Sequence, residues 1–333
     1  MPDVSVVLPF YNAEDTLSGA MESISNQTLQ NFECILVNNN ATDRSLRYAE
    51  LHAAKDNRFR IYHEARQGVT YATNTGSSYA KSPYVARMDA DDIALPTKLE
   101  KQLDFLEQNH DYGAVGSLVK FGGDAQEAAG IKRFVDWNNS LVSYEDILAN
   151  RFVESPIVNP TAMWRKCVEQ EMGSFRDGNF PEDYELWLRW LENGVKIAKL
   201  PEALLLWNDP PGRLTRNDER YSFDAFYRIK AYYLSLWLKR HNALHPYVYI
   251  WGASRRIRKR AQMLQAYKIQ IKGYIDINLR RKIDEKLIHY YDLPSPDEAF
   301  ILVYMPHHDI KKEIKQHLNS NGFFEGVNCL FAA

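Results

Sequence analysis

Three carboxylates fall within four positions at Asp89-Ala90-Asp91-Asp92, directly after the apolar, strand-like run Tyr84-Val85-Ala86. Side chains this dense repel one another and lose hydration where a strand end is partly buried. A divalent cation relieves the repulsion, and hard ions such as Mg2+ or Mn2+ prefer oxygen ligands. Mg2+ in particular is held by one or two carboxylates and completed by substrate phosphates. The cluster therefore points to a metal-bridged phosphate leaving group. The plain alternative is a capped start to the helix that begins near Pro96. A second acidic pair, Glu182-Asp183, opens the amphipathic stretch Phe180–Leu188, with Pro181 suited to its first position. There the positive end of the helix dipole favours ionised carboxylates, which keeps Asp183 ready for a proton but predicts a depressed, weaker base. A metal-held sugar-phosphate donor needs such a base for the attacking hydroxyl.

The elements that must position these groups alternate in type. Val4–Leu8, Phe32–Val37, Phe59–Tyr62 and Tyr84–Met88 read as strands. Helical spacing follows each, with helices expected over Ser45–Ala54, Thr70–Ala80 and Pro96–Asn109. This β-α-β-α order predicts a doubly wound α/β sheet with helices on both faces, which binds ligands beyond the carboxyl ends of its strands. Those ends carry Pro9-Phe10-Tyr11-Asn12, Asn38-Asn39-Asn40, Glu64-Ala65-Arg66-Gln67-Gly68 and the acidic cluster. Together they form an inventory for a base, a ribose, phosphates and an ion. The segment 110–180 is harder to read, beyond a strand at Val115–Phe121 and a capping box at Ser143–Asp146.

Farther on, Tyr221–His241 reads as an amphipathic helix whose apolar face (Phe223, Phe226, Tyr227, Leu234, Trp237, Leu238) is expected to pack on the first domain. A smaller Rossmann-like pattern then restarts, with strands at Tyr247–Trp251, Ile271–Ile275 and Phe300–Tyr304. Its turn keeps Gly252, but Ser254 and Ile257 hold the later glycine positions of a dinucleotide fingerprint, and Ile257 would impede a pyrophosphate. The expected division is 1–215, a helical linker 216–245, and a small domain 246–333. The basic run Arg255–Arg260 fits a solvated face, acidic lipid headgroups or a polyanionic partner.

With 333 residues and a net charge of −2, the chain has room for two domains and no general attraction for nucleic acid. No basic-then-apolar leader opens it, and no apolar run approaches the roughly 20 residues that span a bilayer. Its three scattered cysteines fit reduced thiols rather than a disulfide frame. The expected setting is cytoplasmic, with a peripheral contact at the inner face of a membrane as a further option.

Taken together, SVVLPFYNAEDTL, RMDADDIALPTKLEKQLDFL and FPEDYELWLRWLENG resemble an inverting glycosyltransferase of family 2 with the GT-A fold, over roughly residues 1–215. The resemblance implies a hexosyltransferase-type enzyme that uses a nucleotide-sugar donor, a UDP-sugar by preference, a divalent cation (Mn2+ or Mg2+), and a saccharide or lipid-linked saccharide acceptor. It implies that Pro9, Tyr11, Asn12 and Glu14 border the nucleotide, that Asp89 and Ala90 also contact the donor, that Asp89 and Asp91 hold the metal, and that Asp183 is the general base. The family's usual V-D-D-G-S-T-D reads here Val37-Asn38-Asn39-Asn40-Ala41-Thr42-Asp43, so Asn39 stands where an Asp accepts the uracil N3 hydrogen. An amide there can satisfy uracil or cytosine. Thr73 replaces a frequent Arg, a cation that Arg66 or Arg87 could supply. Asp209 stands where relatives often carry a His. Two other readings remain at this point: a sugar-1-phosphate nucleotidyltransferase, and a non-catalytic nucleotide-sugar-binding protein.

Overall fold

The computed structural model describes residues 1–123, 128–209, 218–281, 283–305 and 308–333. The chain divides into two compact units, Met1–Leu148 with Ser155–Asp218, and Ala149–Glu154 with Glu219–Ala333. The helix expected as a linker, observed at Phe223–His241, falls within the second unit.

In the first unit, strand β1 (Val4–Phe10) is buried along its whole length. It pairs in parallel with β2 (Phe32–Asn38) and β4 (Tyr84–Arg87), and β2 pairs in parallel with β3 (Phe59–His63). Burial on both faces explains the unbroken apolar run. Val4, Val6, Leu8 and Phe10 enter one core with Leu17, Met21, Ile24, Leu99 and Leu103. Val7 enters the other, with Ile35, Val37, Ala72, Trp164, Trp187 and Trp190. The sequence placed the end of this strand at Pro9, yet β1 continues through it. Phe10 O accepts from Asn39 N on the β2 side, whereas Val7 O accepts from Met88 N on the β4 side. Pro9 therefore directs its missing donor toward β4, whose pairing has already ended at Val7.

The helix Val69–Tyr79 lies tight against this sheet: a Cβ on Gly76 would meet Val7 Cγ1 at 2.5 Å. Helices Ser45–Ala53 and Lys98–Gln108 lie within a residue or two of expectation. The sheet then continues through β5 (Ile93–Ala94), β6 (Tyr112–Phe121), β7 (Met163–Arg165) and β8 (Lys196–Trp207). Its order is β3-β2-β1-β4-β7-β6-β8-β5, with β7 antiparallel to both neighbours and β5 antiparallel to β8. This is the mixed, curled GT-A arrangement. The capping box forms as read: Ser143 Oγ accepts from Asp146 N, and Asp146 Oδ2 accepts from Ser143 N, each at 3.1 Å.

The second unit holds an all-parallel sheet of β9 (Tyr247–Trp251), β10 (Gln270–Asp276), β11 (Leu287–His289), β12 (Ile301–Val303) and β13 (Cys329–Phe331), in the order β11-β10-β9-β12-β13. Phe223–His241 buries Tyr227, Leu234, Trp237 and Leu238, with Trp237 edge-on to Phe300. Phe223, expected on the same face, is instead exposed. Ile257 Cδ1 stands 2.6 Å from where a Cβ on Gly252 would lie, so its side chain packs directly against the turn glycine. Among the described residues, no helix is long and apolar enough to cross a membrane.

Candidate active site

The carboxyl ends of β1, β2, β3 and β4 lie side by side because these strands are parallel neighbours. At the end of β4, Asp89, Asp91 and Asp92 each offer an oxygen, all within 4.8 Å of one another. Like charges at that spacing repel by about 3 kcal/mol per pair at an effective dielectric constant of roughly 20. The cluster caps no helix: the helix Lys98–Gln108 starts after Thr97 and has Glu100 in its first turn. Instead, the end of β8 braces it. Asn208 N donates to Asp92 Oδ1 at 2.9 Å, and Asn208 Nδ2 donates to the Asp91 carbonyl at 2.8 Å. Pairing of β5 with β8 brings that brace into register.

Two buried basic side chains stand behind the carboxylates. Arg87 forms an ion pair with Asp89 through Nη2 and donates from Nη1 to the Met88 carbonyl. Lys98 Nζ donates to the Arg87 carbonyl at 3.2 Å. Burial, with Arg87 adding to it, pulls the Lys98 ammonium down to about 7. Arg87 had a sequence signal as a candidate cation. Lys98 had none, because a Lys in the first turn of an amphipathic helix reads as solvent-facing. The triad with its cation backing is an all-oxygen donor set of the kind that Mg2+ or Mn2+ takes.

Asp183 lies in the first turn of the helix Glu182–Glu192, after Pro181 as cap. The expectation of a depressed pKa is reversed. Burial, then the neighbouring Glu182 charge, push the Asp183 carboxyl up to about 8, although Tyr184 N donates to its Oδ1 at 2.7 Å. Burial disfavours the charged form more than the helix terminus favours it. Asp89 also raises it, so the general-base candidate and the acidic triad lie within electrostatic reach of each other.

The remaining candidates are arranged along the same edge. Pro9 is buried, Tyr11 is exposed, and Asn12 Oδ1 accepts from Thr42 N at 2.8 Å. Glu14 is turned aside, with Oε2 accepting from both Arg44 N and Arg44 Nε at 3.0 Å. Arg66 pairs with Glu64 at 2.9 Å and lies over the Tyr71 ring. With Thr75, Arg66 holds the Glu64 carboxyl down to about 2. Asn39 is buried, and its amide is engaged by the loop that carries Glu64 and Arg66. Ala90 is part-buried between the metal candidates. Pro210 and Pro211, next to Asp209, lie outside the described residues.

Residues 5–170 match the sequence profile of glycosyl transferase family 2. EpsE of Bacillus subtilis strain 168, named as a glycosyltransferase, is 32% identical over 229 residues, spanning 67% of this chain and 79% of EpsE. The chain belongs to glycosyl transferase family 2. A second relative of this glycosyltransferase, the O-antigen biosynthesis glycosyltransferase WbnJ of Escherichia coli, is 28% identical over 246 residues, covering 71% of this chain and 89% of WbnJ. Among solved structures, S. aureus TarS 1-349 in complex with UDP-GlcNAc aligns with a TM-score of 0.56 at 18% identity, covering 80% of this chain and 72% of that one. That likeness shows the shared fold of this family 2 enzyme.

Proposed function

We propose that this glycosyltransferase moves a sugar from a UDP-sugar to a hydroxyl of a saccharide or lipid-linked saccharide acceptor, with inversion at the anomeric carbon. The observation that carries the reading is the acidic triad at the end of β4, whose Asp89, Asp91 and Asp92 oxygens lie within 4.8 Å of one another. The Asp89 charge that raises the Asp183 carboxyl supports Asp183 as its companion base. Asp91 and Asp89 would hold a divalent cation, with Asp92 and Asn208 fixing the loop. When bound, that ion neutralises a departing diphosphate. Asp183 takes the acceptor proton as the hydroxyl oxygen attacks the anomeric carbon. Its raised pKa makes it a stronger base than an ordinary Asp, and positive charge near Asp89 favours its ionised form. Pro9, Tyr11 and Asn12 border the nucleotide, and Arg66 is the nearby cation of the β3 loop. The UDP-GlcNAc bound by TarS and the O-antigen role named for WbnJ support the donor and acceptor classes. A cytoplasmic setting at the inner face of a membrane suits such an acceptor.

The test is calorimetry with UDP and Mn2+, followed by a panel of UDP-sugars for Mn2+-dependent hydrolysis and acceptor trials with the best donor. Binding that needs both UDP and metal is expected. No UDP binding with or without metal would sink the assignment.

A further inference from the structure

Of the three consecutive asparagines at the end of β2, Asn39 and Asn40 form side-chain hydrogen bonds that explain their type. Asn39 Nδ2 donates to the Glu64 carbonyl at 2.9 Å and to the Arg66 carbonyl at 2.8 Å. Asn39 Oδ1 accepts from Gly68 N at 2.8 Å and from Gln67 Nε2 at 3.4 Å. Asn40 Nδ2 donates to the Ala65 carbonyl at 2.9 Å. The Asn38 carbonyl accepts from Glu64 N at 3.1 Å. Two carbonyls and one N–H around Asn39 also dictate which way its amide points.

A carboxylate can only accept, so an Asp at either position would face carbonyl oxygens with no proton to share. Asn39 is 3% exposed, and both of its amide hydrogens are used within the protein. Asn40 has φ of 63°, in the left-handed region that Asn tolerates. Gly68 closes the loop at φ 135°, a conformation that favours glycine and delivers its N–H to Asn39.

We propose that Asn39 and Asn40 are positioning residues that clamp the 64–68 loop at the nucleotide edge of the donor site. The Asn39 side chain does not itself read the base. The clamp fixes the segment that carries Arg66, and the choice between uracil and cytosine is made by other groups at that edge. This rests on the donor-site reading given above.

The test compares the full-length chain with Asn39→Asp and Asn40→Gly, reading amide exchange at 64–68, donor KM and kcat, and Mn2+-dependent binding of UDP and CDP. Asn40→Gly suits the local φ and removes only the exposed contacts to Ala65 and Gln67, so it stays folded if Asn39→Asp does not. The clamp predicts faster exchange at 65–67 in both variants. In Asn39→Asp, UDP and CDP should weaken together by about tenfold, the scale of one or two hydrogen bonds. Donor KM should rise with kcat held within about threefold, a split that general unfolding does not produce. The proposal is overturned if exchange at 64–68 stays at the wild-type rate in both variants. It is also overturned if Asn39→Asp binds UDP as well as or better than wild type while losing CDP, since a carboxylate reading uracil N3–H gives that result. Wild-type protein that binds no nucleotide defeats the donor-site reading, and with it the nucleotide role. The exchange rates then decide whether the loop clamp itself survives.

Discussion

Arg87 Nη2 stands 2.5 Å from Asp89 Oδ1, with the Arg87 side chain 1% exposed and that of Asp89 30% exposed. The cation is thus buried behind the cluster, and the acid reaches toward solvent at its mouth. Asp89 meets an incoming ion with one oxygen already paired, whereas the Asp91 backbone is held by Asn208. Under the proposed function, Asp91 would then be the principal metal ligand, and Asp89 would link the metal to the protein's own charge.

Arg87→Met should therefore destabilise the protein by about 2 kcal/mol, below the usual loss for a fully buried pair because Asp89 is partly solvated. Mn2+ should restore more stability to the variant than it adds to wild type, because it supplies the missing positive charge. Thermal melts with and without Mn2+ measure both. An equal metal-induced shift in the two proteins would mean that Arg87 and the ion do not share Asp89.

Asp91→Ala should remove metal-dependent UDP binding, lowering UDP affinity by at least about tenfold in calorimetry with Mn2+ present. Stability should hold or rise slightly, since one of three mutually repelling carboxylates is lost. A fully active, metal-independent Asp91→Ala enzyme would refute the metal role of the cluster.

Lys199 offers a test of buried charge away from the site. It is 2% exposed, its Nζ donates to Asn138 O and Oδ1 at 2.6 Å, and burial pulls its ammonium down to about 7. A lowered folded pKa means that the native state binds fewer protons than the unfolded chain between about pH 7 and the ordinary Lys range. Stability from this group is full above that range and is lost as pH falls toward 7. Lys199→Met should therefore reduce the rise in unfolding free energy, measured in urea, between pH 7 and 9, by up to about 1.4 kcal/mol per pH unit. Parallel pH profiles for variant and wild type would show that Lys199 titrates normally.

The first four strands and their helices were legible because each is a local pattern: a run buried on two faces, then a stripe at helical spacing. The grouping of the three acids and the first-turn position of Asp183 were legible for the same reason, each being contiguous and at the edge of an element. Strand β7 was not, since its three residues gain strand geometry only by pairing with β4 and β6. Strand β8 was hidden by Pro201 in its interior and by the register shifts in its pairing with β6. The chemistry of the asparagine run was illegible because its partners lie 25 to 29 residues away, across the sheet edge. The pKa of Asp183 was misjudged because a helix terminus is visible in sequence, whereas burial beside Glu182 and the approach of Asp89 are not.

That reversal has a kinetic consequence. A general base acts only when ionised, and Asp183 is pushed up to about 8 by burial, Glu182 and Asp89. At limiting Mn2+, transfer should rise with pH on a single-proton limb with its midpoint near that value. Saturating Mn2+ should move the limb to lower pH, since positive charge at Asp89 favours the ionised carboxyl. Asp183→Asn should abolish transfer while leaving Mn2+-dependent UDP binding within about threefold of wild type. Stability gives an independent check on sign. A carboxyl with a raised folded pKa contributes its full stability below the unfolded value of 3.8 and loses it as pH rises through about 8. Relative to wild type, Asp183→Asn should gain urea resistance between pH 6 and 9. Rate profiles at two Mn2+ concentrations and urea midpoints at the two pH values measure this pair of effects. Wild-type turnover in Asp183→Asn would remove it as the base, whatever the midpoints do.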